Sequence, residues 1–207
     1  MRLKNQLRKQ RKQKSNNVSY LIHKVFPTYI HCIDNILISD ELLNYCLTRP
    51  DLDLGNRSNR GGKQSLDSNG NSIIKDLIQK IVNENIQKVC RYELGIQNYW
   101  INVNSRDNYN VLHCHPGATL AGVVYIQASE DSGDLMFFNS DPHATFIESE
   151  LYGKDSDLAQ QVQMYLKPKT GRCYIFPAHL MHGVEQNRTQ DDRVSVSFNL
   201  VVRSSLI

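Results

Sequence analysis

Three histidines and one arginine are the residues of this sequence best suited to chemistry. His113 and His115 stand one residue apart in HCHP at 113–116, and far downstream the segment FPAHLMHGVEQNRTQDDRVSVSFN holds His182 and Arg193. Successive side chains on a strand alternate faces, so His113 and His115 are expected to project together, with Leu112 and Cys114 pointing the other way. Neutral imidazoles converging from distant segments suit a divalent first-row metal. On the strand that starts at Arg193, the residues Arg193, Ser195, Ser197 and Asn199 share one face, and Val194, Val196 and Phe198 share the other. An arginine fork binds a carboxylate bidentately and a neighbouring hydroxyl adds a donor. The pattern therefore predicts a mononuclear iron site beside a clamp for an acidic cosubstrate.

The ligand set is unusual. A catalytic non-haem iron commonly takes two histidines and one carboxylate on one face, leaving the other open. Here His115 stands where an aspartate would be usual; Asp107 precedes the motif and Asp134 lies across a turn, neither well placed. Arg193 has a competing structural reading as an ion-pair partner of Asp191 or Asp192 in the preceding polar turn. His143 reads as a surface residue and Cys114 as a core thiol.

The elements that must hold these residues follow from periodicity and turn chemistry. Residues 25–39, VFPTYIHCIDNILIS, suggest a first strand and a connector. Ser39 is a good N-cap, Asp40 and Glu41 suit a first helical turn, and Leu42, Leu43, Tyr45, Cys46 and Leu47 offer an apolar face before Pro50. The Gly-, Asn- and Ser-rich stretch 55–72 predicts an exposed loop. Beyond it, Ile74, Ile78, Ile81, Val82 and Val89 lie on a helical period and predict an amphipathic helix against a sheet. After Gly95 short runs rich in aromatic and β-branched residues predict strands at 96–104, 111–115, 120–127, 135–138, 163–167, 172–176 and 193–202, an all-β sandwich or barrel core. Residues 139–162 read as a polar insertion.

Composition bounds the rest. With 40% hydrophobic and 22% charged residues, the 207-residue chain has the make-up of one soluble globular domain able to bury a core without disulfides or structural metal. Its five cysteines are irregularly spaced with no CxxC pair, which argues against a disulfide framework or a zinc module and fits a reducing cytoplasm. No stretch predicts a membrane span or a secretory signal. The tail from Arg2 to Lys14 is basic and free of acids; it reads as a solvated extension whose charge would suit an acidic partner, nucleic acid or a larger assembly. The expected organisation is a basic tail at 1–17, a helical support region at 18–95 and a β core at 96–207, the last two forming one domain.

From Trp100 to Asn199 the chain resembles the 2-oxoglutarate and Fe(II)-dependent oxygenase superfamily, and closely a branch with a WxN strand, an HxHP motif, a GxxY strand and an FPxxxxH segment ending in RxSxSFN. The matching residues are Trp100 and Asn102; His113, His115 and Pro116; Gly122 and Tyr125; Phe176, Pro177 and His182; Arg193, Ser195, Ser197, Phe198 and Asn199. RGGKQS at 60–65 is similar to the same branch. The resemblance implies a mainly β fold with flanking helices around a double-stranded β-helix (jelly-roll, cupin-like) core. It also implies an enzyme using Fe(II), 2-oxoglutarate and O2 to hydroxylate a substrate carbon. His113 and His182 would be iron ligands with His115 as the third, Arg193 and Ser195 would clamp the cosubstrate, and Tyr125 and Asn102 would face its pocket. At His179 the branch commonly has an aromatic residue, which implies a packing role.

Two other readings stay open at this point. HxH with a distant histidine also resembles cupin-type metalloenzymes that do not use 2-oxoglutarate, although PGATLAG at 116–122 lacks their acid and Arg193 would be unexplained. A non-catalytic structural or binding protein could retain the fold. The substrate is not identified by any motif; analogy with prolyl hydroxylases favours a protein side chain such as proline, and the segments 55–72 and 139–162 are expected to rim the pocket.

Overall fold

The computed structural model describes residues 28–49, 51–52, 57–70, 72–139, 141, 143, 147, 150–151, 153 and 162–205. The basic tail at 1–17 and most of 139–162 lie outside the described residues. Along the chain run β1 (His31–Ile33), α1 (Asp40–Leu47), β2 (Asn59–Arg60), β3 (Lys63–Gln64), α2 (Ile73–Ile81), β4 (Tyr92–Asn104), β5 (Tyr109–His113), β6 (Leu120–Gln127), β7 (Leu135–Phe138), β8 (Gln163–Leu166), β9 (Cys173–Pro177), β10 (His182–Val184) and β11 (Arg193–Ser205).

These strands form two antiparallel sheets. One has the order β1-β9-β6-β11-β4-β3, the other β2-β5-β10-β7-β8. From β4 to β7, and again from β8 to β11, each successive strand joins the opposite sheet, which winds the chain into the expected double-stranded β-helix. The long strands β4 and β11 pair from Arg193 opposite Asn104 to Ser205 opposite Tyr92 and form the spine of the larger sheet.

Side-chain alternation divides β11 as anticipated. Val194, Val196, Phe198 and Leu200 turn to one side, into a core completed by Leu42 and Cys46 of α1 and Ile74, Ile78 and Ile81 of α2. Fully burying each such aliphatic chain contributes about 1.5–3 kcal/mol. The other face of the larger sheet meets the smaller one through Val123, Tyr125, Tyr174 and Phe176 against Leu135 and Phe137. Both helices begin on serine caps: Ser39 accepts from the Leu42 amide and Ser72 from the Lys75 amide.

Several expectations need correction. The segment 55–72 is not a simple exposed loop: β2 pairs with β5, β3 pairs with β4, and Ser58, Asn59, Gln64 and Ser65 are buried. Their polar groups are satisfied largely inside the fold, as where Asn59 Nδ2 donates to the Lys63 carbonyl at 2.9 Å, and this is why a polar composition did not mean exposure. The support region is accordingly not helical alone; it supplies β1, β2 and β3, and β4 starts at Tyr92 rather than at 96. Val89 is exposed, because a π-helical turn at Val82–Ile86 shifts the phase of the apolar face after α2. Leu47 is also exposed, in the last turn of α1. The short β10 has no counterpart among the expected strands. No helix among the described residues is long and apolar enough to cross a membrane.

Candidate metal centre

β5 and β10 are antiparallel neighbours in which His113 lies directly opposite His182. Cross-strand partners of this kind bring their side chains together on one face, and the two rings stand 4.3 Å apart. β5 ends at His113, so strand alternation does not deliver His115 as expected. His115 arrives from the turn beyond, where its amide donates to the Ala178 carbonyl at 2.9 Å. Its ring is stacked between His182 at 5.0 Å and Trp100 at 5.6 Å. One nitrogen from each of His113, His115 and His182 lies within 4.8 Å of the others, and among the described residues no other histidine, cysteine or carboxylate group forms such a cluster.

Tautomers follow from the hydrogen bonds. His113 Nδ1 lies 2.8 Å from the Val111 carbonyl and His182 Nδ1 lies 2.8 Å from the Leu180 carbonyl. A carbonyl only accepts, so each Nδ1 carries the proton and each Nε2 keeps its lone pair free. Burial lowers the pKa of all three rings: His182, with His113 as second cause, falls to about 3, His115, with His113 and Arg57 assisting, to about 4, and His113 falls by burial alone. At neutral pH the cluster is uncharged and basic at nitrogen. His115 Nε2 and His182 Nε2 are 3.2 Å apart, and metal–imidazole bonds of about 2.1 Å put adjacent ligands about 3.0–3.4 Å apart. The residues present thus fit a divalent ion with three imidazoles and no carboxylate. Asp134 is engaged with Lys167 at 3.1 Å, and Asp107 is an exposed turn residue.

Two cavities meet at the cluster. The inner cleft between the sheets is narrow, about 40 Å³, and reaches from His113, His115 and His182 to Tyr125, Arg193 and Ser195. In register, Ser195 lies between Asn102 on β4 and Tyr125 on β6, so the three form one row across the sheet with Arg193 one row deeper on the same face. Arg193 is 1% exposed. Its Nη1 donates to the carbonyls of Ser132 and Glu185, while its Nη2 has no partner among the described residues. Among the described residues no carboxylate pairs with it, so the ion-pair reading with Asp191 or Asp192 does not hold. Burial lowers its pKa to about 10, which leaves it charged at neutral pH. An unpaired buried cation costs several kcal/mol. The Tyr125 hydroxyl, also buried and without a partner among the described residues, lies beside it and has its pKa raised by burial. Two open donors that face one cleft are placed where they could hold a carboxylate. Asn102 Nδ2 donates to Ser197 Oγ at 3.1 Å, and its Oδ1 has no partner among the described residues.

The outer cavity, about 360 Å³, opens on the other side of His113 and His115 and is lined by Arg57, Gln64, Trp100, Cys114, Pro116 and Asn199 among others. Cys114 is therefore a half-buried cavity residue and not a core thiol. The 55–72 segment reaches the cavity through Arg57, Ser58 and Gln64, whereas no described residue of 139–162 lines either space. His179 is exposed rather than packed, because the chain turns there before β10, and His143 is exposed as expected. Sequence reasoning singled out Trp100 only as part of a motif and assigned nothing to Gln64; the one available signal was RGGKQS at 60–65, whose short strand sets Gln64 opposite Asn102.

Residues 98–199 match the family described as "Putative 2OG-Fe(II) oxygenase". Among curated proteins none matches the chain. Among solved structures it is similar to a prolyl-4-hydroxylase from Pseudomonas putida, at 15% identity and a TM-score of 0.57 over 85% of this chain and 94% of that one. It is similar to a viral collagen prolyl hydroxylase from Paramecium Bursaria Chlorella virus-1 in complex with 2-oxoglutarate, at 17% identity and a TM-score of 0.54 over 83% and 95%. It is also similar to HygX from Streptomyces hygroscopicus with nickel and 2-oxoglutarate bound, at 14% identity and a TM-score of 0.57 over 84% and 83%. At these identities the likeness is one of fold.

Proposed function

Residues 98–199 of this chain match the 2OG-Fe(II) oxygenase family, and from that premise we propose that the protein is a 2-oxoglutarate-dependent dioxygenase whose iron is held by His113, His115 and His182. The observation that carries the reading is the junction of the two cavities: three neutral imidazoles face one point, with an unpaired buried arginine on the inner side and an open pocket on the outer side. Iron bound there would supply the activation of O2 that couples decarboxylation of 2-oxoglutarate to hydroxylation of a carbon. The remaining work falls to the chain itself. Arg193 Nη2 and the Tyr125 hydroxyl donate to the distal carboxylate, with Ser195 as a third donor and Asn102 beside them. The slender cleft suits an extended dicarboxylate and rejects bulkier acids.

The substrate occupies the outer cavity, against Trp100 and beside Arg57 and Gln64. A protein side chain such as proline is the preferred class, and two of the similar folds are prolyl hydroxylases by name. Five free cysteines favour a reducing cytoplasm. A reading without 2-oxoglutarate would leave the buried charge of Arg193 with no counter-ion. The deciding experiment is anaerobic reconstitution with Fe(II) followed by O2 and 2-oxoglutarate. Succinate formation that requires both iron and 2-oxoglutarate is expected; a protein that neither binds nor consumes 2-oxoglutarate would instead be a non-catalytic member.

A further inference from the structure

His113 and His182 stand on paired strands, and each ring is anchored by a backbone carbonyl 2.8 Å from its Nδ1. His115 lies beyond the end of β5. There its amide donates to the Ala178 carbonyl at 2.9 Å and its carbonyl accepts from the Ala118 amide at 3.3 Å. Those bonds fix the main chain, but the ring torsion of a histidine is broad and must be set by what packs on the ring. What packs on it is flat: the His182 ring lies 7° from parallel and the Trp100 indole 25°, with centroids 5.0 and 5.6 Å away.

Trp100 is the only tryptophan of the chain, and it is 7% exposed. A buried indole normally serves a core, yet among the described residues this one joins neither apolar core. It lines both cavities instead, as His115 does. It stands on β4 opposite Ser197 of β11, in the spine of the larger sheet, whereas His113 and His182 belong to the smaller sheet. We propose that Trp100 is a positioning residue for the metal centre: its indole is a fixed plane from the larger sheet that holds the His115 ring where it can join the other two imidazoles on one ion. A ring already confined loses little freedom on binding, which raises affinity without any new contact to the ion. The same sheet carries Arg193 and Ser195, so the indole also sets the third histidine relative to those residues. The inference rests on the reading of His115 as a ligand.

The test uses the full chain with Zn(II) as a diamagnetic probe, its affinity read by chelator competition. Trp100→Leu, which keeps apolar bulk without a flat face, should bind Zn(II) about three- to tenfold more weakly, the worth of an aromatic pair beyond its buried area. Trp100→Phe keeps a ring to stack and should return the affinity to within about twofold of wild type. Ile78→Val, a core change on α2 that lines neither cavity, should leave it unchanged. Wild-type affinity in Trp100→Leu, no recovery in Trp100→Phe, or an equal loss in Ile78→Val would each overturn the proposal. If Trp100→Leu does not fold, wild type decides by NMR, where a single tryptophan makes the indole signals unambiguous. NOEs between the indole and the His115 ring should persist when Zn(II) is added, and their disappearance would overturn the proposal equally. If His115→Ala binds Zn(II) as tightly as wild type, the ligand assignment itself is what fails.

Discussion

His115 and His182 hold their Nε2 atoms 3.2 Å apart with ring planes 7° from parallel. One ring comes from the turn after β5 and the other from the first residue of β10, so the pair is made by the folded chain and by nothing local. Its spacing is that of adjacent ligands on one ion, and the absence of a carboxylate from the cluster leaves the site neutral until a cation binds.

Removing one histidine of the cluster should therefore abolish metal binding. His182→Ala is expected to abolish Fe(II) binding and with it the metal-dependent rise in melting temperature, which at 100 times Kd corresponds to about 2.7 kcal/mol. His115→Asp should retain iron and succinate formation, since a carboxylate is the commoner third ligand. Loss of iron from His115→Asp would count against coordination at this position.

Arg193 supplies the buried charge of the inner cleft. Arg193→Ala should weaken 2-oxoglutarate binding by at least about 30-fold, the loss of about 2 kcal/mol or more expected for a buried charged pair, while metal stoichiometry stays unchanged. Titration calorimetry of the metal-loaded protein checks both numbers, and an unaltered affinity would exclude the clamp.

Gly122 sits opposite Phe198 on the helix side of the larger sheet, and a Cβ there would overlap the Phe198 ring. Gly122→Val is expected to destabilise the fold by about 1–3 kcal/mol through overpacking. A urea midpoint no lower than that of wild type would show that Phe198 can move aside.

Asp34 and Arg172, far apart in sequence, form a two-pronged ion pair at 2.6 and 3.0 Å that ties the end of β1 to the start of β9. The Arg172 guanidinium holds the Asp34 carboxyl below its ordinary value. The folded pKa is the lower one, so the pair stabilises the protein above the unfolded value of about 4 and is lost as pH falls through the folded value. The gap in melting temperature between wild type and Asp34→Asn should be constant above about pH 5 and close as the solution becomes more acidic than the folded pKa. A gap that does not narrow at acid pH would assign the effect to packing instead.

Much of this was legible in the residues. The alternation RVSVSFN places Arg193 and Ser195 opposite Val194 and Val196 whatever the surrounding fold, and the apolar period of Ile74, Ile78 and Ile81 requires a sheet to cover it. The 55–72 segment was not legible, because its asparagines and serines are buried on hydrogen bonds to distant backbone and side chains, which composition cannot register. The π-helical turn that expels Val89 was likewise invisible to a constant helical period.

What the sequence determined by itself is the supply of chemistry: which side chains can ligate, which can clamp, and which faces of β11 they occupy, since these depend only on residue type and the two-residue repeat of a strand. Tertiary structure alone decided the geometry. It set His113 opposite His182 through strand pairing, brought His115 in from a turn where alternation no longer applies, and left Arg193 buried with no counter-ion among the described residues. Those relations join residues remote in sequence, and pairing register and burial, which act between segments, are the forces that fix them.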